Sequence, residues 1–139
     1  MLTVATSGGF DPVHIGHLEY LRLAKFLGDY LVVIVNSDEF LIRKKGFAFM
    51  PWKERMEIVA NLRYVDSVVA CVDQDQSVCE TLKVVRPDVF AKGGDRTAIN
   101  TLEYDLCKEL GIRFVDGLGN KIQSSSDLAM KIRNMNIGG

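Results

Sequence analysis

Five short runs of this chain are near-continuous in β-branched and apolar residues. Leu31-Val32-Val33-Ile34-Val35 is the clearest, with no polar residue on either face. A strand that shows one face to water alternates apolar with polar. A continuous run of this kind instead requires cover on both sides, as in a parallel sheet sandwiched between helices. The pattern predicts strands over 2–6, 30–36, 67–72, 88–92 and 112–116, and helices over 15–27, 51–63, 76–85, 100–110 and 125–134. Strand and helix alternate throughout, which implies right-handed crossovers and an α/β, doubly wound, parallel five-stranded sheet. Sheets of this kind bind ligands beyond the carboxyl ends of their strands, where the strand order reverses.

Composition narrows the possibilities further. The 139 residues suit a single domain over 1–139, with 47% hydrophobic and 25% charged residues. A net charge of −1 gives no electrostatic basis for binding nucleic acid or an anionic membrane. No stretch is long and apolar enough to span a bilayer, and a strand begins at once with no signal peptide before it. Cys71, Cys79 and Cys107 are odd in number and include no C-x-x-C pair. They read as reduced, buried thiols of a cytoplasmic protein.

The chemistry concentrates after the first strand, in Gly8-Gly9-Phe10-Asp11-Pro12-Val13-His14-Ile15-Gly16-His17. The paired glycines let the backbone turn sharply and approach a ligand. His14 and His17 then fall on one face at a helix start, where unpaired N–H groups and the dipole favour anions. Taken singly, Asp11 could be a helix cap and the histidines a metal pair, but no further Cys/His cluster supports a metal. In sequence, the parts describe a polyphosphate site.

Other candidates lie at strand ends or helix starts. In helix 51–63, Trp52, Met56, Val59 and Leu62 form an apolar stripe, with Arg55 on its edge and Arg63 inside it. A guanidinium on such a face needs a carboxylate or phosphate partner, either a structural ion pair (with Asp38 or Asp66) or a substrate. Lys44 and Lys45 fall in a loop over 43–50. Lys92-Gly93-Gly94-Asp95 follows the fourth strand, either as a ligand-touching loop or as a tight turn. Ser124-Ser125-Ser126-Asp127 opens the last helix as a cap or an anion cradle.

The His14-Ile15-Gly16-His17 element resembles the H-x-G-H signature of the nucleotidyltransferase superfamily. From Thr3 to about Ile132 the chain is most similar to cytidylyltransferases of the glycerol-3-phosphate and phosphoethanolamine type. The shared residues include Leu27-Gly28-Asp29-Tyr30, Ser37-Asp38-Glu39-Phe40, Arg55 and Arg63-Tyr64-Val65-Asp66. Lys92-Gly93-Gly94-Asp95 instead resembles the heptose-phosphate adenylyltransferases, and the arginine that the cytidylyltransferases carry before their serine–threonine element is absent from the matching Gly119-Asn120-Lys121-Ile122, where Lys121 replaces its charge but not its fork.

The resemblance implies a Rossmann-like fold in which an acceptor phosphate attacks the α-phosphorus of a nucleoside triphosphate and pyrophosphate leaves. It implies catalytic roles for His14, His17 and Lys44. It implies nucleotide binding by Ser7, Gly8, Gly9, Phe10, Asp11, Gly16, Lys92, Gly94, Asp95, Ser124, Ser125 and Ser126. Acceptor binding falls to Lys45, Arg55, Arg63 and Lys121. Mg²⁺ arrives on the triphosphate with no protein-held metal, and a homodimer is expected. CMP transfer from CTP onto a small phosphate or phosphonate is the leading expectation. Adenylyl transfer to a sugar phosphate and an inactive nucleotide-binding regulatory module are the alternatives.

Overall fold

The structure is a computed structural model that describes residues 1–93 and 101–119. Its elements in chain order are β1 (Thr3–Gly8), α1 (Ile15–Lys25), β2 (Tyr30–Val35), α2 (Asp38–Lys45) and α3 (Trp52–Ala60). They continue with β3 (Ser67–Ala70), α4 (Cys79–Val85), β4 (Val89–Gly93), α5 (Thr101–Leu110) and β5 (Arg113–Leu118). All four strand pairings are parallel, in the order β3-β2-β1-β4-β5. The doubly wound five-stranded sheet is therefore the one the sequence predicts. Its order reverses between β1 and β4, so the crevice opens beyond Gly8 and Gly93.

Residues within each strand divide between the two faces. Val4, Leu31, Val33, Val35, Val89 and Ala91 pack with Tyr20, Leu21 and Ala24 of α1 and with Val59 of α3. Ala5, Ile34 and Phe90 pack the other way, against Leu82 of α4 and Leu106 and Cys107 of α5. This two-sided burial is what makes β2 apolar at every position. Cys71 and Cys107 are buried and all three thiols are free, with burial raising each thiol pKa.

Two departures from the sequence reading bear on the site. The 43–50 region is not all loop, because Asp38–Lys45 forms a helix. Ser37 caps it through Oγ on the Phe40 N–H, Asp38 and Glu39 lie in its first turn, and Arg43, Lys44 and Lys45 in its last. Gly46 closes it in the left-handed conformation, at φ 90°. Helix α3 meanwhile stops at Ala60, short of the expected 63, and its Asn61 cap takes the chain out of the helix. Arg63 therefore leaves the apolar stripe. It is exposed and lies 5.9 Å over the Tyr64 ring. Neither proposed carboxylate pairs with it. Asp66 accepts from Lys25 and from the Leu31 N–H, and Asp38 serves Arg55. The expected helix 125–134 lies outside the described residues.

Candidate active site

The turn after β1 is shaped by close contacts. A Cβ on Gly9 would sit 2.6 Å from Leu41 Cδ2, and one on Gly8 3.1 Å from the Phe10 ring. Phe10 itself holds a left-handed φ of 53°, a conformation that costs a non-glycine residue about 1 kcal/mol or more. Burial offsets that cost, because Phe10 is 1% exposed with its ring 4.9 Å from that of His17.

Asp11 is an organiser of the site. Its buried carboxylate accepts the backbone N–H groups of Phe49 (2.5 Å) and Met50 (2.6 Å) and lies 3.0 Å from Lys45 Nζ. Lys45 also donates to the Asp11 carbonyl at 2.7 Å. The lysine expected to reach substrate is thus engaged by Asp11, and the α2–α3 connection is pinned to the histidine turn.

The two histidines build the start of α1 out of one another. His14 is the N-cap, and its Nδ1 accepts the Gly16 N–H at 3.1 Å. His17 Nδ1 in turn accepts the His14 N–H at 3.2 Å, which closes a reciprocal capping box. Their ring centroids are 3.9 Å apart. Since each Nδ1 accepts a backbone proton, the neutral ring carries its own proton on Nε2. Burial lowers the His14 pKa. Burial, then His14, Lys44 and Lys45, push His17 down to about 3. Near neutral pH both rings are uncharged Nε2–H donors beside a helix N-terminus and two lysines, a setting that takes phosphate oxygens. Lys44 is exposed, with Nζ 6.0 Å from the centre of the Phe40 ring, and its field reaches His17.

Arg55 departs from its expected part. Its side chain is 0% exposed. Nε donates to the Met50 carbonyl, one terminal nitrogen to the carbonyls of Gly9 and Asn36, and the other to Asp38 Oδ1, all within 2.7–2.9 Å. The fork that was to hold an acceptor phosphate is engaged with the protein's own oxygens. It ties the end of β2, the Gly8-Gly9 turn and the start of α3 together. The sequence reading weighs an ion pair with Asp38 for Arg63 and favours a phosphate for Arg55; the structure instead pairs Arg55 with Asp38. Its place in the first turn of a Ser-capped helix was the available signal.

At the far side of the crevice, Lys92 donates to the buried Glu103 of α5 at 3.1 Å, so the structure gives it an ion pair where nucleotide contact was expected. Gly93 is needed for packing, since a Cβ there would lie 2.8 Å from Tyr20 Cδ1. Tyr20 is anchored in turn, its hydroxyl donating to the Ala91 carbonyl and accepting the Ser7 N–H. Ser7, Gly8, Gly9, Phe10, Asp11, His14, Gly16 and His17 gather at the switch point with Lys44 and Lys45. Gly94, Asp95, Lys121, Ser124, Ser125 and Ser126 lie outside the described residues. Among the described residues no three His, Cys, Asp or Glu side chains are grouped to hold a metal ion, and no helix is long and apolar enough to cross a membrane.

A family model described as cytidylyltransferase-like matches residues 5–123. The chain belongs to that family. The bifunctional protein HldE of a Nitratiruptor species is 41% identical over 117 residues, 82% of this chain and 25% of that protein. HldE of Hahella chejuensis is 37% identical over 134 residues, 94% of this chain and 27% of its own length. The FAD synthase of Pyrococcus abyssi is 41% identical over 96 residues, 68% of this chain and 64% of that one. The crystal structure of the lipopolysaccharide core biosynthesis protein from Thermoplasma volcanium superposes with a TM-score of 0.75 at 28% identity, covering 86% of this chain and 98% of that one. The chain spans about a quarter of the length of the HldE relatives.

These relatives overturn the expectation of a CTP-using cytidylyltransferase. The similarity falls instead on HldE-type sugar-phosphate nucleotidyltransferases, the side to which the Lys92–Asp95 wording points. The family name describes the shared domain and leaves the base open.

Proposed function

We propose that this domain transfers an adenylyl group from ATP to a sugar phosphate. An oxygen of the acceptor phosphate forms a bond to the α-phosphorus. The bond from that phosphorus to the bridging α–β oxygen breaks, and pyrophosphate leaves with the electron pair. A phosphate oxygen is already nucleophilic, so catalysis rests on positioning and on meeting the charge that moves to the leaving group.

The observation that carries this reading is the reciprocal pair of His14 and His17. With each Nδ1 held by backbone, the two Nε2–H donors are aimed by the start of α1 and need no protonation to work. They meet the phosphate oxygens as negative charge shifts, while Lys44 supplies positive charge nearby. By the resemblance, the nucleoside falls to Gly94 and Asp95, the β- and γ-phosphates to Ser124, Ser125 and Ser126, and the acceptor to Lys121. Mg²⁺ enters on the triphosphate oxygens, which need few protein ligands. ATP as donor is supported by the similarity to HldE proteins and to an FAD synthase, whose named product contains an adenylyl group.

The test is pyrophosphate release from ATP or CTP, with Mg²⁺ and a panel of hexopyranose 1-phosphates and glycerol 3-phosphate. Release from ATP that depends on a sugar phosphate is the expected result. Release from CTP alone, or from no pair of substrates, would overturn the reading.

A further inference from the structure

The connection Gly46-Phe47-Ala48-Phe49-Met50-Pro51 joins α2 to α3. It leaves Phe47 and Phe49 41% and 50% exposed. Single exposed apolar residues are ordinary, but this pair stands on an unusually well-fixed support. At one end, the Gly46 N–H donates to the Ile42 carbonyl at 2.8 Å. At the other, the Phe49 and Met50 N–H groups meet the buried Asp11 carboxylate, and the Met50 carbonyl takes Arg55 Nε at 2.9 Å. Lys45 Nζ lies 4.9 Å from the centre of the Phe47 ring while bonded to Asp11. Helix α2, the Asp11 turn and α3 therefore hold this segment, yet the two phenylalanines remain about half exposed to water. Packing does not call for that arrangement. Pre-organised recognition does.

The arch also stands at the right place. Asp11, its anchor, lies three residues before His14, and Lys45, in contact with the Phe47 ring, acts electrostatically on His17. It rises from the β2 side of the switch point, across β1 from the end of β4. We propose that Phe47 and Phe49 form the recognition wall for the ring of the acceptor, stacking on the C–H face of a pyranose whose phosphate points to the histidines. This rests on the adenylyl-transfer reading and narrows it. A pyranose has an apolar face of partly positive C–H groups that suits the negative face of an aromatic ring. An open-chain polyol phosphate has no such face.

The experiment compares the parent protein with Phe47→Ala, Phe49→Ala and the double variant. Each is assayed with ATP and either a hexopyranose 1-phosphate or glycerol 3-phosphate. The expected result is a loss of about tenfold in kcat/KM for the sugar phosphate in the double variant, the size of one good aromatic contact. The KM for ATP and the background release with glycerol 3-phosphate stay unchanged, and Phe47→Tyr and Phe49→Tyr restore the sugar activity. Equal losses with both acceptors, a raised KM for ATP, or no change would each overturn the wall. If the parent transfers to no acceptor, the adenylyl-transfer reading has failed. The wall is then judged by saturation transfer from the phenylalanine rings to the pyranose protons of the same sugar phosphate. Transfer seen in the parent and lost in the double variant would sustain it, and no transfer in the parent would overturn it.

Discussion

Arg55 offers a direct test of how the site is held. Arg55→Met keeps most of the side-chain volume and removes every hydrogen bond of the guanidinium. Three carbonyls, those of Met50, Gly9 and Asn36, lose their charged donor. A buried acceptor left without a partner costs at least about 1 kcal/mol, so together they cost about 3 kcal/mol. Asp38 adds little, because its carboxylate is 40% exposed and water can replace the guanidinium there. With an unfolding entropy of about 2.1 cal/mol/K per residue, a chain of this length then melts about 10 °C lower. Arg55→Lys falls between, since an ammonium cannot reproduce the fork. Thermal and urea melts followed by far-ultraviolet circular dichroism read the loss. The reasoning is refuted if Arg55→Met melts within about 3 °C of the parent, a change of less than about 1 kcal/mol. A selective rise in acceptor KM in that same stable variant would make Arg55 a phosphate ligand after all.

Three further outcomes are expected. His14→Asn keeps a side-chain acceptor at the N-cap, so it melts close to the parent while turnover falls by about 10²-fold or more, as for loss of one pre-organised donor; a large fall in melting temperature with activity preserved would contradict this. His17 resists protonation down to about 3 when folded, whereas its ordinary value is 6.5. Its contribution is intact above pH 6.5 and is lost as pH falls toward 3, because the unfolded chain takes the proton first. The slope is up to about 1.4 kcal/mol per pH unit. His17→Gln should flatten the pH dependence of stability between about pH 4 and the ordinary histidine range, and identical slopes in the two proteins would remove the assignment. Gly93→Ala drives a Cβ into a Tyr20 ring that is fixed through its hydroxyl, so it should cost about 1–3 kcal/mol. Gly9→Ala meets the flexible end of Leu41 and should cost less, as paired melts would show.

Much of the fold is legible because burial on two faces leaves an unmistakable sequence trace, and every expected strand overlaps an observed one. Helix α2 is harder to see. It has eight residues and buries Leu41 alone, so periodicity scarcely marks it. Its caps do mark it, since Ser37, two acids, three bases and Gly46 stand in the proper order. Arg63 illustrates the opposite error, in which a helical stripe is extended one turn past the helix end. In the site, the histidines and the Gly8-Gly9 turn are readable because their spacing is local. Arg55, Lys45 and Lys92 are not, because their partners Gly9, Asn36, Asp11 and Glu103 come from distant parts of the chain. Residue type alone does not say whether a cation faces a phosphate or a carbonyl.

The capping box at the start of α1 explains why histidine stands at both of its positions. A side chain there must grip the backbone with one atom and offer a proton from another, aimed elsewhere. Asparagine and glutamine have both functions, but on neighbouring atoms of one small amide. Serine has both on the same oxygen. The imidazole ring separates them across a rigid plane, so one edge belongs to the helix and the other is left for the phosphates of the proposed reaction. On the proposed reading, fold maintenance and phosphate recognition are carried by opposite edges of the same two rings, a separation that amide and hydroxyl side chains do not offer.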